Sequence, residues 1–227
     1  LVSDAIGAIT RHIREHDLMP GDRLPSEATL SKELHVSRTV VREAFRSLAA
    51  MRIIELATGK RATVAPIDHG AMSLMMEHGL LTQQINIQQI YDVRRTIETR
   101  IVTLAAIRRS DAEAEQITAT AADMRTAAEA DDLTRLMELD LRFHELLGQA
   151  SRNPVFALIM GAFQGITRQT WPIGWRSRTT APAREKMITT HEEIAAAIAK
   201  GDPVTAAAAM TVHFDESVRA LVAAGLS

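Results

Sequence analysis

The sequence predicts a mainly α protein in two parts, and three observations carry that reading. Hydrophobic residues make up 46% of the 227 positions while aromatics make up only 4%, so alanine, leucine, isoleucine and methionine supply the core. Those residues pack helix on helix better than sheet on sheet. Apolar positions recur at helical spacing almost everywhere, the exception being two short β-prone runs at 53–56 and 62–64 around Thr58-Gly59-Lys60. Finally, Ala65-Pro66-Ile67-Asp68 breaks the chain after the second run, and helical periodicity resumes directly afterwards. The expected division is therefore 1–66 and 67–227.

Composition excludes several classes. There are no cysteines, which rules out disulfides and thiolate metal sites and suits a reducing cytoplasm. No apolar run approaches membrane-spanning length and no signal peptide precedes the first helix, so a cytoplasmic protein with no membrane partner is expected. The net charge of −2 conceals an asymmetry: residues 1–66 hold ten Lys/Arg against eight Asp/Glu, leaving sixteen against twenty for the remainder. A nucleic-acid contact would depend on where the arginines sit and on doubling by dimerisation, more than on bulk charge.

In the first part, Val2, Ile6, Ile9 and Ile13 form one helical stripe, and Met19-Pro20-Gly21-Asp22 reads as a turn. Ser26 caps a short helix with Ala28, Leu30 and Leu34 on its apolar face, and the chain breaks at His35-Val36. Ser37 caps the next helix. There Val40, Val41, Ala44, Phe45 and Leu48 face a core, while Arg38, Thr39, Arg42 and Arg46 fall on the opposite side. Arginines in that register can set guanidinium forks against guanine edges and phosphates, at a helix end that already favours anions. The β-prone pair that follows reads as a hairpin, in which Gly59 allows close backbone approach and Lys60 and Arg61 can reach phosphates or a minor groove.

The stretch LPSEATLSKELHVSRTVVREAFRSL resembles the winged helix-turn-helix of the GntR family of bacterial transcription regulators. Leu-Pro-Ser-Glu, Ser-Arg-Thr-Val-Val-Arg-Glu-Ala and the leucine beyond are the specific parts. Two positions depart from the family pattern: Ala28 stands where arginine is frequent, removing one expected DNA contact, and His35 stands where glycine is frequent. Histidine is among the residues that accept a positive φ more readily.

From Ala71 onward the reading is helical throughout, with helices near 70–79, 87–109, 111–129, 132–151, 154–170, 182–200 and 203–224. Ser110 to Glu113 has capping-box spacing, Asn153-Pro154 starts a helix, and Gly201-Asp202-Pro203 separates the last two. The stretch Trp171-Pro172-Ile173-Gly174-Trp175 interrupts the periodicity and reads as a lid or pocket wall.

Four polar residues sit where this bundle needs leucines. At 100° per residue, Asp140 and His144 project about 40° apart into the stripe of Leu133, Leu136, Met137 and Leu147. His191 falls centrally between Met187, Ile194 and Ile198, and His213 lies on a face of small residues, Ala206, Ala209 and Ala220, with Met210. Arg94 likewise shares the stripe of Ile90, Ile97, Ile101 and Leu104. Taken singly, each histidine reads as a hydrogen-bonded core residue. Together, three imidazoles and a carboxylate satisfy one another most simply through a divalent metal, zinc first, with nickel, cobalt, manganese and iron also suited. Arg94 is a buried cation wanting an anion, either Glu98 one turn on or a bound carboxylate.

Asp140-Leu-Arg-Phe-His144, His191-Glu-Glu-Ile, His213 and Tyr91-Asp-Val-Arg94-Arg-Thr-Ile-Glu98 resemble the FCD domain, the all-helical effector half of the FadR subgroup of GntR regulators. That resemblance implies a bacterial repressor or activator whose pocket takes a small carboxylate held jointly by metal and arginine. The reading is a homodimer that grips a pseudo-palindromic double-stranded operator and is released by a sugar acid or other hydroxy-carboxylate such as a hexonate, with lactate-like and dicarboxylate effectors also open. Arg94 and Glu98 are the expected effector contacts, and Asn153, Trp171 and Arg168 are further pocket candidates. Two rivals stand beside it. One is a regulator for which the metal itself is the signal; the other is a metal-dependent hydrolase or isomerase.

Overall fold

A computed structural model describes residues 1–226. Its elements are α1 (Val2–Glu15), α2 (Glu27–Glu33), α3 (Arg38–Ala50), β1 (Ile54–Glu55), β2 (Thr63–Val64), α4 (Gly70–Leu81), α5 (Ile87–Arg108), α6 (Asp111–Glu129), α7 (Leu133–Ala150), α8 (Pro154–Ser177), α9 (Ala181–Lys200) and α10 (Pro203–Ala223). The chain separates into two compact units, Leu1–Ala71 and Met72 onward.

In the first unit α1 and α2 pack on α3 around Ala5, Ile9, Leu30, Val41, Ala44, Phe45 and Leu48. Ser26 and Ser37 both cap as their spacing predicts, accepting from Thr29 N at 3.1 Å and Val40 N at 3.3 Å. His35 adopts φ +52° in the turn between the two helices, the left-handed conformation its place required. Strands β1 and β2 pair antiparallel, Ile54 with Val64 and Glu55 with Thr63, in shorter runs than the sequence suggested. Their connection turns through Gly59 at φ +73°, with Lys60 N donating to Ala57 O at 3.1 Å. The segment after the Met19–Asp22 turn adds a third strip to this sheet, which the sequence reading missed. Leu24 N donates to Ala62 O and Val64 N to Asp22 O, so Leu24 is fully buried beneath the hairpin.

In the second unit α10 lies along α5 and α9, α6 along α7 and α9, and α7 on α5 and α8. Capping boxes at Asn86/Gln89 and Ser110/Glu113 start α5 and α6, proline follows the cap of α8, α9 and α10, and Gly201 ends α9 at φ +71°. The core runs through Ile101, Ile117, Met124, Leu136, Phe143, Leu147, Ile194, Ile198, Met210 and Phe214.

One boundary is corrected. Helix α8 does not stop near 170 but continues through Trp171-Pro172-Ile173-Gly174-Trp175 to Ser177. Proline in a helix removes one backbone hydrogen bond and crowds the preceding turn. Here Trp171 and Trp175, one turn apart, stack with ring centroids 5.5 Å apart and planes 6° from parallel, and Trp175 is buried. Side-chain packing thus overrides the local breaker, and the segment is helix wall, not a separate lid.

Candidate metal centre and nucleic-acid interface

Val41, Ala44, Phe45 and Leu48 anchor α3 to its domain, which turns Arg38, Thr39, Arg42 and Arg46 to solvent together. Two of these arginines are occupied within the chain. Arg42 reaches Glu27 at the start of α2 through Nε at 3.2 Å and Nη2 at 3.1 Å, and Arg46 reaches Glu43 at 2.8 Å. Glu27 holds the Arg42 guanidinium above its ordinary pKa by hydrogen bond and charge. Arg38 makes no hydrogen bond or ion pair among the described residues. At the hairpin tip Gly59, Lys60 and Arg61 are all exposed, and a cleft lined by Arg42, Arg46, Gly59, Lys60 and Arg61 runs between α3 and the tip. The surface is a helix N-terminus and a loop with cations free, or loosely held by neighbouring acids, and it can exchange those acids for phosphates.

In the helical domain α7 supplies Asp140 and His144, α9 His191 and α10 His213, and all four are buried. One nitrogen from each histidine lies within 4.8 Å of the others. The tautomers are set by what surrounds them. His191 Nδ1 is 2.8 Å from the Met187 carbonyl, which only accepts, so Nδ1 bears the proton and Nε2 carries a lone pair. That Nε2 is fully buried, makes no hydrogen bond, and lies 3.1 Å from Asp140 Oδ1. A lone pair facing a carboxylate oxygen out of water is repulsive unless a second proton on the ring or a metal ion relieves it, and three imidazole nitrogens converging beside that carboxylate fit a metal ion.

His144 Nδ1 is in close contact with Glu98 Oε2, while Glu98 Oε1 accepts from Arg94 Nε at 2.9 Å. Arg94 also donates through Nη1 to Thr167 Oγ1 at 2.9 Å. Carboxylates placed behind a histidine in this way fix its orientation and leave the other nitrogen for a metal. Electrostatics agree with this division of roles. Burial pushes the Glu98 carboxyl up, but His144 and Arg94 overcome it and hold it below its usual value. Burial likewise works against Asp140, which His191, His144 and Arg94 keep ionised. For His213, burial and then the neighbouring imidazoles and guanidiniums act in the same direction and push it well below an ordinary imidazole, so it is neutral and its lone pair is free.

These groups open onto a cavity of about 40 Å³ whose walls include Arg94, Asp140, His144, His213, Trp171 and Arg178. Trp171 therefore reaches the cavity, and Glu98 stands behind it, bonded to Arg94. Asn153 does not reach it. Its side chain caps α8 by accepting from Val155 N, roughly 20 Å along the helix from Thr167 at 1.5 Å per residue. Arg168 points away as well and pairs with Glu138 on the exposed side. Among the wall residues that escaped the sequence reading are Tyr91, Thr167, Thr170 and Arg178. Tyr91 OH and Thr170 Oγ1 are 3.0 Å apart, bracing α5 against α8. Phe163, Thr167 and Thr170 share one helical stripe inside the helix read at 154–170, which was the signal for the two threonines, and Gly174 continues it beyond Pro172.

Among the described residues, no helix is long and apolar enough to cross a membrane. Residues 1–64 match the family described as bacterial regulatory proteins, gntR family, and residues 89–216 match the FCD domain. The chain is 30% identical over 205 residues to the HTH-type transcriptional regulator LutR of Bacillus subtilis, covering 88% of this chain and 92% of that one. It is 31% identical over 163 residues to the galactonate operon transcriptional repressor of Escherichia coli, covering 69% of each. A solved structure titled Streptococcus agalactiae GntR superposes with a TM-score of 0.69 at 27% identity, covering 96% of this chain and 99% of that one. These relatives are regulators, and none carries an enzyme's name. With a winged head matched at one end and an FCD bundle at the other, the chain belongs to the gntR family of DNA-binding transcription regulators.

Proposed function

We propose that the protein is a homodimeric repressor whose helical domain holds a divalent metal, zinc first, and releases its operator when a small hydroxy-carboxylate joins the metal. Asp140, His144, His191 and His213 are the ligands, Arg94 and Trp171 contact the acid, and Glu98 positions both Arg94 and His144. In the winged unit Arg38, Thr39, Arg42, Arg46, Gly59, Lys60 and Arg61 contact a pseudo-palindromic operator. The single observation that carries the metal reading is the buried, unbonded His191 Nε2 facing Asp140. When bound, the metal supplies a Lewis-acidic position for an oxygen of the acid.

The chain's own groups do the rest. Glu98 fixes the His144 tautomer, the Met187 carbonyl fixes that of His191, and Arg94, held by Glu98 and Thr167, presents a preoriented guanidinium to a carboxylate. A bound acid changes operator affinity only by binding one state of the protein better than the other. The galactonate operon repressor is a named relative, which keeps sugar acids within the class. The small cavity nevertheless favours a more compact acid than a hexonate.

Thermal unfolding of the purified protein with a panel of carboxylates, with and without chelator, tests the reading. Acids should raise the midpoint only in the metal-loaded protein, since a ligand that binds the folded state stabilises it. Operator release that follows metal alone, with no acid changing it, would favour the metal-responsive alternative and remove the acid from this account.

A further inference from the structure

The cavity contains a cation that neither the metal nor the arginine of α5 uses. Arg178, immediately after α8, is half-buried in the cavity wall. The one hydrogen bond its side chain makes among the described residues runs from Nη1 to the Gly174 carbonyl at 2.7 Å, and among those residues it forms no ion pair. A guanidinium carries five N–H donors in a fixed fork, so most of this one is uncommitted. Burial pulls its pKa below the ordinary arginine value more strongly than Asp140, Tyr91 and Glu216 raise it. Glu216 is engaged with Arg219 at 2.9 Å, and Asp140 faces His191. Arg94, the other arginine of the cavity, has a dedicated acid in Glu98.

The position of Arg178 is built. Arg184 Nε donates to the Arg178 carbonyl at 3.0 Å, and the Arg184 guanidinium lies over the Trp175 ring, 5.4 Å from its centroid. The corner between α8 and α9 is thereby tied to the stacked tryptophans of the wall.

Charge counting then separates two classes of ligand. The charged side chains that line the cavity are Arg94, Arg178 and Asp140, and Glu98, bonded to Arg94, makes two of each sign; Glu216 is offset by its pair with Arg219. Neutral imidazoles add nothing, so a divalent cation seated on them leaves an excess of two positive charges in a site partly shielded from water. A monocarboxylate removes one of them. The other remains because no acid among the described residues is bonded to Arg178.

We propose that Arg178 is a specificity-determining residue that reads a second acidic group, so the ligand seated beside the metal is a compact dicarboxylate of three or four carbons. This rests on the acid-sensing reading above and names its substrate class. Arg94 and Arg178 come from different elements, so one acid end meets Arg94 and the metal while the other meets Arg178. Arg176, Arg184 and Lys186 are exposed around the same corner and favour the approach of anions.

Calorimetric titration of the metal-loaded, full-length protein with matched pairs of acids tests this. Tartronate differs from lactate, and malate from 2-hydroxybutyrate, by a carboxylate in place of a methyl group. In the wild type the diacid of at least one pair should bind about tenfold or more tightly than its partner, a difference of about 1.4 kcal/mol. Arg178→Gln should erase that preference, weakening the diacid about tenfold and leaving the monoacid within about twofold, while Arg178→Lys restores part of it by keeping the charge. Equal or tighter binding of the monoacids, or equal loss of both acids in Arg178→Gln, overturns the assignment while leaving the acid sensor in place. Metal-loaded protein that binds none of the four acids overturns the sensor reading itself, and this proposal with it. If Arg178→Gln does not fold, the wild-type comparison of the paired acids decides alone.

Discussion

The two domains of this chain treat arginine in opposite ways. On α3 the guanidiniums stand in water, Arg38 without a partner among the described residues and Arg42 and Arg46 in ion pairs whose acids are themselves partly exposed. In the helical bundle Arg94 is 3% exposed and bonded to Glu98, which is 1% exposed. An exposed pair is worth little and is readily exchanged for a phosphate. A buried pair is different, because removing one partner strands the other charge out of water. The winged domain can therefore trade its contacts with a partner at small cost, whereas the bundle must keep its charges balanced whether or not anything is bound.

The largest break in that contrast comes from Glu98→Gln. The amide that replaces the carboxylate still has an oxygen to accept from His144, but buried Arg94 loses the anion bonded to it. Chemical denaturation of the metal-free protein should show a loss of about 3–5 kcal/mol, the usual result of breaking a buried pair from one side. Arg94→Met combined with Glu98→Gln should recover much of that loss, and a double variant no better than the single one would show that the charge of Arg94 is not what Glu98 balances.

His144→Ala comes next and acts on the metal more than on the fold. Removing one of four ligands should lower metal affinity by about 100-fold or more, since even the partners standing behind ligands are worth about 10–100-fold. The measurement is metal content after dialysis against a weak chelator, together with operator binding. Operator affinity without acid should change little, and the response to acid should disappear. Full metal occupancy in this variant would remove the four-ligand site.

How much of this was legible in the sequence follows the same division. Helix caps were readable because they are local: Ser26, Ser37 and Ser110 each bond a backbone amide three residues on, and His35 sits in the positive-φ turn its spacing required. The inward direction of Asp140, His144, His191, His213 and Arg94 was readable because 100° per residue places each on an apolar stripe, and each is buried. Contacts between elements were not. Nothing local to Arg178 says that α8 continues through Pro172 and brings it to the wall of a cavity. Asn153 looked polar and conveniently placed, yet a helix cap consumes its side chain. The third strip of the small sheet was missed for the same reason, since its hydrogen bonds join residues some forty positions apart.

Among the winged-domain arginines, Arg38→Ala should weaken operator binding by about 1–3 kcal/mol, the range for an arginine set against a base edge. Arg38 makes no hydrogen bond or ion pair among the described residues, so none of those is given up when it engages DNA. Fluorescence anisotropy with a labelled operator measures the loss, and the unfolding midpoint should stay where it is. Unchanged affinity would mean that α3 does not present this residue to DNA.

The smallest effect separates Arg42 from Arg38. Because Arg42 reaches Glu27 through two nitrogens, DNA must compete with an acid already in place. Glu27→Gln removes that competitor and one negative charge near the phosphates, so operator affinity should rise by about two- to fivefold at low salt and converge with wild type as salt increases. Glu27 also lies in the first turn of α2, where a carboxylate favours the helix, so a slight fall in stability should accompany the gain. If affinity falls instead, Glu27 is orienting Arg42 for its contact, and the exposed ion pair belongs to the bound state as much as to the free one.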